Sequence, residues 1–298
     1  MSDGRPRVSV GLPVYNGQAF LAEAIESILA QDFTDLELVI GDNASTDATP
    51  EICRRYLGAD GRVSYLRSEV NRGAAWNFSR LVDAARGEYF KWAASDDVCA
   101  PTYLSRCVEV LDHQADVVLC STGTVMIDER GQPIGPLEIT NHGTAGEPAE
   151  RFRDLVLRPH KAFSVFGVIR RDALCETPRL GAYTASDLVT LAELALRGRF
   201  HEVPEPLFFN RDHGGRSIRA NPTYKARQPW FDPNRAGRIT LPRWRLGIEY
   251  ARAIGRAPLS SVQRRQAYEA LARWSWANGL SLGNDIVRAA RDLGRFSQ

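Results

Sequence analysis

Two adjacent carboxylates, Asp96 and Asp97, directly follow the aromatic, buried-looking run Tyr89-Phe90-Lys91-Trp92-Ala93-Ala94. Neighbouring acids repel unless a cation or a set of donors stabilises them. Carboxylate oxygens suit the hard cations Mg²⁺ and Mn²⁺, which also bridge diphosphates. A cation there would neutralise charge developing on a departing nucleoside diphosphate. The competing use of the pair is to cap the helix that opens near Pro101. Asp42, after Leu38-Val39-Ile40-Gly41, is placed to accept an N–H from a nucleobase or to cap the following helix; Asn43, Ser45 and Thr46 stand closer to that helix. Tyr15 is either a stacking surface for a base or a half-buried packing residue.

The elements that must position these residues alternate. Strand patterns at Val8–Leu12, Leu36–Ile40, Val63–Leu66 and Tyr89–Ala94 are separated by helical stripes at Phe20–Ala30, after Ser45-Thr46-Asp47, and at Ala74–Ala85. A helix follows Pro101, and Val117–Ile127 is a further strand. Such alternation predicts an α/β fold with a mainly parallel central sheet covered by helices, whose ligands bind at the carboxyl ends of the strands. The polar groups gather at those ends: Pro13–Asn16, Gly41–Ser45, Asn71-Arg72-Gly73 and Ser95-Asp96-Asp97. Four matching strand ends imply one site.

Farther on, Asp128–Gly146 is expected to be a loop, Glu150–Leu157 a helix, Ala162–Ile169 a strand, Ser186–Arg197 a helix and Asn210–Ser217 a polar turn. Ser260-Ser261-Val262-Gln263 resembles a capping box opening a helix through Trp276, and a last helix is expected over Asn284–Leu293. The division expected is residues 1–220 as the catalytic domain and 221–298 as a helical, Trp- and Arg-rich extension.

Composition limits the classes. The chain has 298 residues, 44% hydrophobic and 25% charged, enough for a large folded core and against disorder. Net charge is +2, but residues 222–298 carry 14 Lys and Arg against 5 Asp and Glu, a balance of +9. That basic tail would face an anionic lipid surface or lipid diphosphate, or simply pair with the acidic body. Its tryptophans Trp230, Trp244, Trp274 and Trp276 suit a membrane interface, a homodimer contact or ordinary docking; Trp274 shares a stripe with Ala267 and Leu271, which favours packing. Five cysteines without CxxC spacing suit reduced thiols better than disulfides or zinc. With neither a leader at the N-terminus MSDGRPR nor an apolar run of ~20 residues, the expected location is the cytoplasm, at most resting on the inner face of the plasma membrane. No nucleic-acid partner is expected.

The run VSVGLPVYNGQAFLAEAIESILAQDFTDLELVIGDNASTD resembles the opening of the family-two nucleotide-sugar glycosyltransferases, whose fold is called GT-A. The likeness continues through Asn71-Arg72-Gly73, Gly87-Glu88-Tyr89 and Ser95-Asp96-Asp97, and resumes at Ala185-Ser186-Asp187 and Asn210-Arg211-Asp212-His213. It covers roughly residues 5–218; the tail resembles nothing comparable. The resemblance implies an inverting transfer from a nucleotide-sugar donor, with UDP-sugars favoured, to a saccharide or lipid-linked acceptor in surface polysaccharide or glycoconjugate synthesis. It implies that Pro13, Tyr15, Asn16, Asp42, Asn71 and Gly73 line the nucleotide, that Asp96 contacts ribose or shares the metal, and that Asp97 holds Mn²⁺ or Mg²⁺. Asp187 would be the catalytic base, His213 would sit by the metal or diphosphate, and Arg211 would contact phosphate. The chain carries Ser186-Asp187 where many relatives carry Glu-Asp, and Asp187 has a helix-capping alternative. A sugar nucleotidyltransferase is disfavoured by Pro13-Val14-Tyr15-Asn16-Gly17, which lacks the Gly-rich, Arg-bearing loop such enzymes need. A dinucleotide-dependent oxidoreductase is disfavoured by the absence of GxGxxG. A catalytically silent binding scaffold is the remaining alternative.

Overall fold

The computed structural model describes residues 4–140, 142–221, 223–235 and 237–296. Met1–Asp3, where the N-terminal leader reading begins, lie outside the described residues. In chain order the elements are β1 (Val8–Val14), α1 (Leu21–Leu29), β2 (Leu36–Asp42), α2 (Thr49–Ala59), β3 (Val63–Arg67), α3 (Ala74–Ala84), β4 (Tyr89–Trp92), β5 (Val98–Cys99), α4 (Tyr103–His113) and β6 (Val117–Ile127). Then come α5 (Pro148–Leu157), β7 (Val168–Arg170), α6 (Arg171–Cys175), α7 (Ser186–Arg197), β8 (Arg199–Arg211), α8 (Ser217–Ala220), α9 (Tyr224–Phe231), α10 (Pro242–Arg256), α11 (Ser261–Ala277) and α12 (Gly279–Phe296).

The eight strands form one sheet in the order β3-β2-β1-β4-β7-β6-β8-β5. Strands β1 and β2 are buried along their whole length between two helical layers, and their interior polar pair, Ser9 and Glu37, bond to each other at 2.6 Å. The sheet is mixed: β1–β2, β1–β4, β2–β3 and β6–β8 are parallel, while β4–β7, β6–β7 and β5–β8 are antiparallel. Because β7 is antiparallel to both β4 and β6, β6 and β8 run in the same direction as β1 to β4. The C-terminal end of β8 therefore arrives at the same edge as the ends of β1, β2 and β4. Register aligns Val14 with Asp42 and Asp42 with Arg67.

Two expectations fail for identifiable reasons. Ala162–Ile169 is not a strand: Ala162–Phe166 is a 3₁₀ turn, and only Val168–Arg170 pairs. A Cβ on Gly167 would lie 2.7 Å from the Cys120 carbonyl oxygen, so the chain passes too close to β6 for a regular start there. The Phe166 carbonyl also accepts from the buried Lys91 ammonium and from the Tyr103 hydroxyl at 3.0 Å. Asn210 and Arg211 are not in a turn; they end the thirteen-residue β8. Pro204 and Pro206 hide that strand in the sequence, and register irregularities at Thr122–Gly123 and Gly123–Thr124 of β6 accommodate them.

The region after residue 221 is helical. Leu246, Tyr250 and Ile254 of α10, with Ala267, Leu271 and Trp274 of α11, share one hydrophobic cluster with Phe152 of α5 and Val189 and Leu196 of α7. Arg256 clamps the buried Glu193 of α7 at 2.6 Å, so part of the basic excess does pair with the acidic body. The capping box at Ser260 and Gln263 forms as read. All five cysteines are free thiols, four of them buried. Among the described residues, no helix is long and apolar enough to cross a membrane.

Candidate active site

The loops after β1 and β2 are stitched together by side chains at the sheet edge. Asn16 takes a left-handed backbone, φ 53°, a conformation Asn tolerates. Its N–H donates to Ser45 Oγ at 2.9 Å, and its amide oxygen accepts the Thr46 N–H at 2.8 Å. Tyr15 stands out of the loop with 49% of its surface exposed, so its ring is presented and not packed. Pro13 lies buried in β1 opposite Gly41 and supports the pocket from below.

Asp42 is wholly buried. Its Oδ1 accepts the Ser45 N–H at 2.8 Å; its Oδ2 accepts the Tyr65 hydroxyl at 2.7 Å and pairs with Arg67 Nε at 3.2 Å. Burial, then the charge of Asp42, pushes the Tyr65 phenol up. Asp42, expected to bind the base or cap the following helix, is held by the turn that opens α2 and by Tyr65 and Arg67. Beside it, Asn43 Nδ2 donates to Asn71 Oδ1 at 2.8 Å, and the same oxygen accepts the Gly73 N–H at 2.9 Å.

Gly73 has φ +84°, and a Cβ there would meet the Phe231 carbonyl oxygen at 2.3 Å. The segment after α9 therefore packs directly on the loop that starts α3. Gly73→Ala is expected to cost about 1–3 kcal/mol, from the left-handed backbone and the collision together. A thermal melt matching the unsubstituted protein would show that this contact does not form.

Asp96 and Asp97 diverge. The half-exposed Asp96 carboxylate meets His213 Nε2 at 2.9 Å, and this bond, followed by the Asp96 charge, raises the imidazole pKa. Asp97 is buried among donors from β8: the Asn210 amide reaches both its oxygens at 3.0 and 3.1 Å, and the Arg211 N–H reaches Oδ1 at 2.8 Å. Burial, then the negative charge of Asp96, still pushes the Asp97 carboxyl up to about 7. Such a frustrated pair fits a divalent cation, which would relieve both causes. Among the described residues no three His, Cys, Asp or Glu side chains close into a metal cage. An open site is what Mg²⁺ chemistry uses, with one or two carboxylates completed by substrate phosphates and water.

Arg211, expected to contact phosphate, is turned inward in this structure. It is buried, with Nε donating to the Asp96 carbonyl at 2.9 Å and Nη1 to the Asp128 carbonyl at 3.1 Å, while Nη2 pairs with Glu23 at 2.7 Å. Its guanidinium also lies over Phe20, whose ring touches His213. Arg211 thus locks the Asp96 backbone in place. The cation nearer the carboxylates is Arg216, which donates to Asn210 Oδ1 at 2.6 Å and whose charge draws the Asp97 pKa down. In the sequence Asn210 figures only as part of the Asn210-Arg211-Asp212-His213 likeness, with no role, and Arg216 has none; the alignment of the β8 end with Asp97 is a tertiary fact.

Asp187 lies in the first turn of α7. The cap position belongs to Ala185, in left-handed conformation, so Asp187 is not the N-cap. Its Oδ1 accepts the Leu188 N–H at 3.0 Å. Burial raises its pKa, opposed by backbone N–H groups and the charge of nearby His160. His160 stacks on His142 at 4.8 Å in a groove of about 610 Å³ lined also by Leu137, Ile139 and Lys161. The structure brings Asp96, Asp97 and His213 into one cluster, and joins Tyr15, Asn16, Asp42, Asn71 and Gly73 in another. A Cβ on Gly17 would lie 3.3 Å from Ser95 Oγ, so the two clusters adjoin. Asp187 stands on a separate wall, with no bond to either.

Comparison with known proteins follows the same outline. The family model described as glycosyl transferase family 2 matches residues 9–174. EpsE of Bacillus subtilis is 33% identical over 127 residues, 42% of this chain and 46% of EpsE. Glycosyltransferase GlyG of Streptococcus pneumoniae serotype 4 is 34% identical over 113 residues, 38% of each chain. The chain therefore matches less than half the length of these relatives. Staphylococcus aureus TarS 1–349, solved in complex with UDP, superposes with a TM-score of 0.65 at 18% identity, covering 93% of this chain and 75% of TarS. The mannosyltransferase PcManGT from Pyrobaculum calidifontis, solved with GDP-Man and Mn²⁺, gives 0.55 at 20% identity over 99% of this chain and 76% of its own. These two likenesses establish the shared fold.

Proposed function

The chain belongs to glycosyl transferase family 2, and on that premise we propose that it is a metal-dependent, inverting transferase. It moves a sugar from a nucleoside-diphosphate sugar, UDP-linked by preference, to a hydroxyl of a saccharide or lipid-linked acceptor in surface polysaccharide or glycoconjugate synthesis. The observation that carries this reading is the Asp96–Asp97–His213 cluster beside the stitched loops that present Tyr15.

Tyr15 stacks on the base, and Asn16, Asn71 and the Gly73 backbone flank it. Asp42 fixes the floor beneath them through Ser45 and Tyr65. Asp96, Asp97 and His213 would hold Mn²⁺ or Mg²⁺, which when bound offsets the charge of the leaving diphosphate. The acceptor oxygen attacks the anomeric carbon as the bond from that carbon to the diphosphate oxygen breaks. Asp187 takes the acceptor's proton, and the nucleoside diphosphate leaves with the bonding electrons. The acceptor is taken up on the side of the groove that holds His142 and His160. The segment from Asp212 to Arg216, with Gly214 and Gly215, closes over the donor to exclude water.

Thermal melts with UDP, GDP, dTDP and CDP, each with and without Mn²⁺, test the donor. At a nucleotide concentration of about 100 times Kd the fold gains about 2.7 kcal/mol, which raises Tm by several degrees. A shift with UDP that requires Mn²⁺ supports the reading. Another nucleotide in its place changes the donor, and no shift with any leaves a silent scaffold.

A further inference from the structure

We propose that the outward face of α12, with Trp276 at its leading corner, docks this protein on an anionic phospholipid surface. The inference is independent of the sugar chemistry and starts from apolar side chains that the C-terminal helices leave exposed. A helix packed on a globular body turns its apolar side inward. The inward side of α12 holds the half-buried Leu282 and Ala289 with the buried Asp285, whose carboxylate accepts the Arg243 N–H of α10 at 2.7 Å. Leu280 and Val287, seven residues apart and so on one face, point out to solvent, with Ile286 beside them. Trp276, at the end of α11, is 90% exposed, and Leu280 just after it is 88% exposed. Trp244 of α10 extends the patch; its ring is exposed while its indole N–H donates to the Leu282 carbonyl at 3.1 Å.

The charge beside this patch identifies the occupant. Arg288 and Arg291 flank Leu280 and Val287 on α12, and Arg273 lies one turn before Trp276. None of the three forms an ion pair or hydrogen bond among the described residues. Residues 222–298 as a whole carry +9. Exposed tryptophan and leucine bordered by unpaired arginines match the boundary between acyl chains and anionic headgroups. A second copy fits less well. A two-fold contact through this face sets each arginine pair near its own counterpart, where like charges repel. No described helix is long and apolar enough to cross a membrane, so α12 lies in the plane of the interface.

The full chain is mixed with vesicles of phosphatidylcholine alone or of equimolar phosphatidylcholine and phosphatidylglycerol, and bound protein is measured by flotation. Binding is expected only to the anionic vesicles, and to fall at high salt as exposed charges are screened. The pair Arg288→Gln and Arg291→Gln is expected to weaken binding about 25-fold, at about fivefold per arginine. Trp276→Glu with Leu280→Glu is expected to abolish it; both side chains are exposed, so Tm and the nucleotide-induced shift in Tm stay unchanged. Failure to float with anionic vesicles at low salt overturns the proposal. So does unchanged binding of the Trp276→Glu, Leu280→Glu variant, or a lipid-free dimer that this variant dissociates. The nucleotide melts read the donor site separately, so either proposal can fail alone.

Discussion

Asp187→Asn is expected to slow sugar transfer by about 10²–10⁴-fold, the usual contribution of a positioned general base, while the nucleotide-induced shift in Tm survives. The substitution keeps the shape of the side chain and an oxygen for the Leu188 N–H. Stability should hold or rise at neutral pH. Burial raises the Asp187 pKa above its unfolded value. Its contribution to stability is therefore full below the unfolded pKa and declines as pH rises through the folded one. The neutral amide escapes that decline. By the same shift, the rate of the unsubstituted enzyme should climb with pH through a value above the ordinary carboxylate range. Initial rates of transfer across pH, set beside thermal melts of both proteins, check all three outcomes. A variant that retains its rate within a fewfold would move the base to another residue.

Asp96→Asn is expected to reduce transfer by about 10²–10³-fold, comparable to removing one group that stabilises a developing charge. The carboxylate is half-exposed and its amide replacement still offers an oxygen to His213, so the fold should persist. The diagnostic readout is the metal. In the unsubstituted protein the UDP-induced shift in Tm should depend on Mn²⁺ and vanish with a chelator; in the variant that dependence should weaken or disappear. A fully retained Mn²⁺ dependence would take Asp96 out of the cation site and leave Asp97 as its carboxylate. A loss of Tm without nucleotide would instead assign Asp96 a structural part, alongside the Arg211 bond to its backbone carbonyl.

The sequence by itself determined the left half of the sheet and what it carries. The runs that became β1, β2 and β4 are mostly apolar and wholly buried because helices cover both faces, with Ser9, Glu37 and Lys91 as their buried polar members, and polar residues gather at their carboxyl ends, where such sheets bind ligands. Local chain order thus placed Tyr15, Asn71, Asp96 and Asp97 at one edge of the sheet. Tertiary structure alone decided the rest. Sequence does not show that the Ser45 N–H and Tyr65 hydroxyl turn toward Asp42. Burial is not written in a charged residue; only the placement of β8, whose prolines disguise it, shows the Arg211 guanidinium turned toward Asp96, Asp128 and Glu23. Asn210 meets Asp97 across 113 residues of chain, a distance no local pattern spans. The exposure of Leu280, Ile286 and Val287 on α12 likewise appears only once its neighbours are known, because a periodic stripe states that a helix has two faces and not which of them meets the core.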